Sequence, residues 1–360
     1  MNLKTISVLT ALAVSIFPLK AQDLRFVEAG ALTLVGKLFP ETSNPYNRLD
    51  TLVCRIPDRI ERNQACNSTG IAVSFRTDSP SIAVRMSFDR AKVSHRISPE
   101  LSTMGLDLYI RKDGAWVWAG SAVCRDSSDA VTLVKGMDGT MHECLMYLPD
   151  HSSPSSVGIG VEAGSEIEAG GQPFRHRVAV FGSSLTHGSG CSRSGMGYPQ
   201  QLSRMTGIEF INLGFGGHSR LQPYFAEILA GSDVDAYLFD AMTNPTPEEI
   251  RERLLPFIET IQAARPGVPL IFQRLIHLEK ENFDRESGAQ IEAKRAVADS
   301  LMAIACRKYR DVYYIDGCKT DGMYGGTSLD GVHLGDHGYT VWAGSVRRPV
   351  LRILRRYGIR

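Results

Sequence analysis

Apolar and polar residues alternate with period two through much of the first 165 positions. In GIAVSFRTDSPSIAVRMSF, which starts at Gly70, the apolar residues Ile71, Val73 and Phe75 alternate with Ala72, Ser74 and Arg76. Ile82, Val84, Met86 and Phe88 repeat the pattern beyond a turn at Asp78 to Ser81, so the stretch predicts strand, turn, strand. GLDLYIRKDGAWVWAG alternates again, with Asp113-Gly114 as a hairpin signal. Trp116 and Trp118 fall on one face of that second strand, which predicts packing inside a sandwich. No helical period is sustained here, so residues 22–165 read as an all-β, jelly-roll-like sandwich.

A Gly-rich junction, AGSEIEAGGQPF (Ala163 to Phe174), ends this half, and from 172 to 360 the pattern changes. Short apolar runs, RVAVF, IEFINL, AYLFDAM, VPLIFQ and VYYID, alternate with helical stretches. In TPEEIRERLLPFIETIQAARPG, Thr246 is a capping residue, Pro247 suits the first helical position and Glu249 completes a capping box. Strands alternating with helices predict a three-layer, flavodoxin-like α/β domain with a five-stranded parallel sheet. In such sheets the chemistry gathers at the carboxyl ends of the strands.

The 360 residues, 43% of them hydrophobic, are enough for two such domains. Forty basic against thirty-nine acidic residues leave a net charge of +1, which argues against nucleic acid as a partner. Residues 1–21 have the order of a signal peptide: an early Lys4, an apolar run from Ile6 to Pro18, and small Ala21 before Gln22. That run is too short for a comfortable membrane span, and no later segment supplies about 18 unbroken apolar residues. A soluble protein, secreted or periplasmic, with no stable membrane span is therefore expected. Export permits disulfides. The seven cysteines are Cys54, Cys66, Cys124, Cys144, Cys191, Cys306 and Cys318, so at least one is unpaired within the chain. The first four either form two bridges, in any of three pairings, or remain buried thiols.

Candidate chemistry emerges when every strand end is read the same way. Gly182-Ser183-Ser184 follows the first run; NLGFGG supplies Asn212, Gly214, Gly216 and Gly217; DAMTN supplies Asn244; SLDGVHLGDHGY supplies Asp330 and His333. A short Asp-x-x-His turn lets the carboxylate hold the imidazole in its proton-accepting tautomer. A serine, a base with its orienter, a glycine amide and a side-chain amide are the parts of acyl transfer. Each alone has a bland reading as a turn or cap; their joint placement at strand ends does not. His187 reads as a solvated loop histidine and Cys191 as a residue at the rim of the cleft. His333 and His337 lack the intervening Glu of a zinc helix, and Gly335 argues against a helix through both, so neither metal nor cofactor is expected.

The order GSSL, NLGFGG, MTN, DGVH resembles the signature blocks of the SGNH, or GDSL, hydrolase superfamily. The resemblance implies Ser184 as nucleophile, His333 and Asp330 as its triad partners, and Gly217 and Asn244, with the Ser184 amide, as the oxyanion hole. Ser183 replaces the usual Asp, and Met242 stands where Gly is common. GLDLY, Gly105 to Tyr109, is similar to the G-x-D-L-Y motif of a β-rich domain preceding a subset of these hydrolases in secreted bacterial proteins, and GSGCSRSGMGYP is similar to that subset too. Together these imply an esterase acting on a small-molecule or glycan ester, with acetylated carbohydrate as the expected substrate. The alternatives are a lipase or lysophospholipase, and a catalytically silent glycan-binding protein.

Overall fold

The computed structural model describes residues 23–125, 129–317, 319–320 and 325–360; the expected leader and Cys318 lie outside these. The alternating first half folds into two antiparallel sheets. The strands are β1 (Leu24–Glu28), β2 (Thr33–Val35), β3 (Ala72–Thr77), β4 (Ser81–Arg90), β5 (Gly105–Lys112), β6 (Ala115–Val123), β7 (Val131–Lys135), β8 (His142–Tyr147), β9 (Ser153–Glu162) and β10 (Ile167–Ala169). One sheet runs β1-β9-β4-β7, the other β10-β3-β8-β5-β6 with β2 also paired to β3. Ile71, Val73, Phe75, Ile82, Val84, Leu106, Leu108 and Met146 fill the core between them. β5 and β6 form the expected hairpin, with Lys112 opposite Ala115 and both Asp113 (φ 51°) and Gly114 (φ 79°) left-handed, the geometry of a type I′ turn.

The second half carries β11 (Arg175–Gly182), β12 (Ile208–Gly214), β13 (Ala236–Asp240), β14 (Leu270–Gln273) and β15 (Val312–Ile315), one on each anticipated run. They form a single parallel five-stranded sheet in the order β12-β11-β13-β14-β15. Short helices α1 (Thr51–Cys54), α2 (Arg59–Ala65), α3 (Glu100–Thr103) and α4 (Ser184–His187) precede the longer α5 (Tyr198–Thr206), α6 (Pro223–Ala230), α7 (Pro247–Ala264), α8 (Arg285–Lys308) and α9 (Asp336–Leu354). α6 packs on α7 and α7 on α8, while α5 packs on α9; right-handed crossovers in the order β12-β11-β13-β14-β15 place the two groups on opposite faces of the sheet. α7 starts as anticipated: Thr246 Oγ1 accepts from the Glu249 amide at 3.2 Å, and the Glu249 carboxylate accepts from the Thr246 amide at 2.9 Å. No helix among the described residues is long and apolar enough to cross a membrane.

Two expectations are corrected. Trp116 and Trp118 share a face, but Trp118 lies opposite Tyr109, whose face of β5 points away from the sandwich core. Trp118 is 51% exposed and its indole N–H donates to Asp107 at 3.0 Å. Cys191 does not rim the cleft; it is fully buried in the catalytic core, where burial holds its thiol protonated. Of the two states left open for the first four cysteines, the structure has the thiols: Cys54, Cys66, Cys124 and Cys144 are free, as are Cys191 and Cys306.

The G-x-D-L-Y stretch has a physical explanation at the junction of the two halves. Leu106 and Leu108 point into the sandwich core, whereas Asp107 and Tyr109, on the opposite face of β5, meet the α/β half. Asp107 is fully buried and accepts from the Gly195 amide (3.0 Å), the Tyr109 hydroxyl (3.1 Å), Arg193 (3.1 Å) and Trp118. At Gly105 a side chain would put a Cβ 2.2 Å from the Leu101 carbonyl oxygen. Nearby, Arg204 stacks 4.0 Å above the Tyr109 ring. A second link is the segment with Leu38, Leu49, Ile56 and Ala65, which packs into the core of the parallel sheet.

Candidate active site

The order β12-β11-β13-β14-β15 reverses direction beside β11, and Ser184 sits just beyond the carboxyl end of that strand, at the switch point. Ser183 caps α4, its hydroxyl accepting from the Leu185 amide at 3.1 Å. The same hydroxyl donates to Asp240 at 2.8 Å, and Asp240 also accepts from Thr186 (3.1 Å) and Thr243 (3.0 Å). The carboxylate absent from position 183 is thus supplied by the end of β13. Burial raises the Asp240 pKa to about 6 against these hydrogen bonds.

Ser184 Oγ lies 2.9 Å from His333 Nε2. His333 Nδ1 faces both oxygens of Asp330, at 3.2 and 3.0 Å, so an Nδ1–H donated to the carboxylate leaves Nε2 free to accept the serine proton. Asp330 also accepts the amides of Val332 (3.1 Å) and His333 (2.8 Å), and Arg96 caps Oδ2 at 2.6 Å. Burial works against its charge, but the His333 amide and ring and the Val332 amide outweigh it and hold its pKa at about 2. α9 begins only at Asp336, after Gly335, so His333 and the exposed His337 share no helix.

Ser184, Gly217, Asn244 and His333 line one cleft of about 690 Å³, with Asp330 behind His333. The structure thus brings the five expected residues together. The amides of Ser184 and Gly217 have no acceptor among the described residues; Ser184 opens α4, where N–H groups lack helical partners. Gly217, at φ 74°, is left-handed, which turns its amide without steric cost. Asn244 is differently placed from a free donor: its NH2 donates to the Phe215 carbonyl at 3.2 Å and to the Ser219 hydroxyl at 3.0 Å.

Several contributors carried no sequence signal. Gln64, on α2, clasps Gly216 from both sides, accepting from its amide at 2.7 Å and donating to its carbonyl at 3.0 Å. Fully buried Arg48 donates to the carbonyls of Asn212 (3.2 Å), Gly214 (3.0 Å) and Gln64 (2.6 Å). Asn212 itself is buried structure: it donates to Thr186 O at 2.7 Å and accepts from the Gly214 amide at 3.0 Å. His187 is not solvated. Its ring stacks on His151, which stacks on His95, with 4.5 Å between centroids at each step. Burial and then Arg48 push the His187 pKa down to about 3, so it stays neutral. Among the described residues, Asp58, Glu61 and His218 stand close enough to share a metal ion. Their oxygens are engaged elsewhere: Asp58 caps α2, and Glu61 accepts from Gln222 (2.9 Å) and Tyr224 (2.6 Å).

A hydroxyl, imidazole and carboxylate in line at the carboxyl edge of a parallel sheet, with unpaired amides beside them, make the layout of a serine hydrolase. Within that class the chain belongs to the SGNH, or GDSL, hydrolases. Residues 175–352 match the GDSL-like lipase/acylhydrolase family, and residues 24–167 match the GxDLY N-terminus of SGNH-hydrolase-type esterases. A Bacteroides ovatus protein described as a GDSL-like lipase is 32% identical with a TM-score of 0.87, over 92% of this chain and 98% of its own. The salicylyl-acyltransferase SsfX3 of a tetracycline biosynthetic pathway is 18% identical with a TM-score of 0.72, over 93% and 98%. A family two carbohydrate esterase from Cellvibrio japonicus is 11% identical with a TM-score of 0.60, over 93% and 99%. No curated protein matches the sequence.

Proposed function

We propose that this protein is an exported serine esterase that removes short acyl groups, acetyl foremost, from carbohydrate. The 2.9 Å contact between Ser184 Oγ and His333 Nε2 carries the reading. His333 takes the hydroxyl proton as Ser184 attacks the ester carbonyl, and Asp330 stabilises the imidazolium. The amides of Ser184 and Gly217 receive the oxyanion, and Asn244 joins by sharing one of the N–H bonds now held by Phe215 and Ser219. His333 returns the proton to the leaving alcohol, then activates water to release the acyl group.

The cleft lining mixes apolar side chains, Ile60, Ile97 and Val332 among them, with Asn63, Gln64, Asn67 and Ser189, whose amides and hydroxyl can meet the hydroxyls of a sugar. The fold shared with carbohydrate esterases favours the same substrate class. The N-terminal pattern of Lys4, apolar run and Ala21 supports export. Ser184→Ala is expected to abolish acetate release from 4-nitrophenyl acetate and acetylated xylan while circular dichroism stays unchanged. Persistent turnover in that variant refutes the reading. Across acyl lengths the rate should fall beyond the shortest esters; a rise with chain length favours a lipase.

A further inference from the structure

The charge lining the cleft around Ser184 is one-sided. Arg90, Lys92 and Arg96 approach from the sandwich half, Lys280 and Lys294 from the α/β half, and no Asp or Glu lines it among the described residues. In a chain whose net charge is only +1, five cations on two facing walls are a local concentration. Two of them are matched: Arg96 by Asp330 at 2.6 Å, and Lys280 by Asp284 at 3.6 Å. The other three have no carboxylate within 4 Å among the described residues. Arg90 donates only to neutral oxygens, those of Asn63, Asn67 and Ser153. Lys294 donates to the Thr243 carbonyl at 2.8 Å, beside Asn244. The exposed Lys92 ammonium has no hydrogen-bond acceptor among the described residues.

Holding like charges together without counter-charge opposes the folded state, so such a set persists where a ligand supplies the missing sign. We propose that the alcohol part of the ester is an anionic sugar, whose carboxylate or sulfate is held by Arg90, Lys92 and Lys294 while its acyl group reaches Ser184. Both anions present oxygen acceptors to ammonium and guanidinium donors, and charge-assisted bonds of this kind are the strong ones. The cleft volume of about 690 Å³ falls within the range of small-ligand sites.

This inference deepens the esterase reading and rests on it for turnover, so its test includes a binding arm independent of catalysis. Glucuronic acid, glucose 6-sulfate and glucose are titrated calorimetrically into the full chain carrying Ser184→Ala. At least one anionic sugar should bind about tenfold more tightly than glucose, as expected for one charge-assisted bond. The gap should narrow when salt is raised from about 0.05 to about 0.5 M. Which anion binds tighter identifies carboxylate or sulfate as the natural group. Lys92→Gln and Lys294→Gln should each shrink the gap several-fold; Lys92 is exposed, so its loss leaves folding intact. In the wild-type chain, kcat/KM for acetylated methyl glucuronoside or acetylated glucose 6-sulfate should exceed that for acetylated methyl glucoside by a similar factor. Equal binding of charged and neutral sugars overturns the inference even if all esters turn over. A binding gap without turnover of any ester upholds the anionic site and overturns the esterase reading instead.

Discussion

At Asp330 four donors converge on one carboxylate: the amides of Val332 and His333, the His333 ring, which reaches both oxygens, and Arg96. Its folded pKa of about 2 lies below the ordinary carboxylate value, so the ionised form is favoured by folding. The stability this contributes is present in full above the unfolded pKa of about 3.9 and is lost as pH falls toward 2. Thermal melts of wild type and Asp330→Asn should therefore differ by a constant amount at neutral pH, with the difference shrinking between about pH 4 and 2; a difference that grows toward low pH contradicts the assignment. The same variant should lose about 10²- to 10⁴-fold in kcat, the usual worth of an oriented general base. The pairing of Asp330 with His333 was legible because three residues of sequence enforce it. Arg96 was not, since 234 positions separate it from Asp330. Likewise Ser183 looked like a loss of charge until β13 brought Asp240 to it.

Among the elements, strands were read well and short helices poorly, for a geometric reason. Alternation shows within six residues, as in β3, a short apolar run within five, as in β13, and a capping box announces α7. Helices α1 and α3, of four residues, and α2, of seven, are too short to display a 3.6-residue period. Alternation also gave Trp116 and Trp118 one face without saying which; a register shift between Leu108 and Tyr109 intervenes on the partner strand. The overlooked α2 matters most, because Gln64 holds both backbone groups of Gly216, the residue before the proposed oxyanion donor. Gln64→Ala leaves a Gly216 amide without its acceptor and frees the loop, at a cost of about 1 to 3 kcal/mol. It is expected to lower kcat for acetate esters about tenfold or more, measured in steady state beside an unchanged far-ultraviolet spectrum. Unaltered kcat would assign α2 to packing alone.

Across the whole molecule, the two halves are joined by buried polar contacts as well as by apolar packing, and Asp107 lies at the centre of that junction. Its carboxylate is burdened by burial, which raises its pKa, and is offset first by Arg193 and then by Arg204 and its hydrogen bonds. Gly195, held by Asp107, lies in the loop leading from α4 to α5, and Ser192 in that loop donates to Asp336, at the start of α9 just beyond His333. This junction therefore sets Gln64 of α2 and Arg96, both from the first half of the chain, beside Ser184 and His333. Asp107→Ala strands Arg193, the Trp118 indole and the Gly195 amide without their acceptor; Arg193 keeps some contact with water, so the cost is that of losing hydrogen bonds to a charged group, about 1.5 to 3 kcal/mol. The expected outcome is a lower urea midpoint together with a loss of esterase activity at denaturant concentrations where the wild type is still active. Trp118 provides the local readout: released from Asp107, its emission should shift in the variant before the global transition. If activity and the Trp118 signal are both unchanged while the midpoint falls, the motif serves the sandwich alone and the two halves do not depend on each other through it.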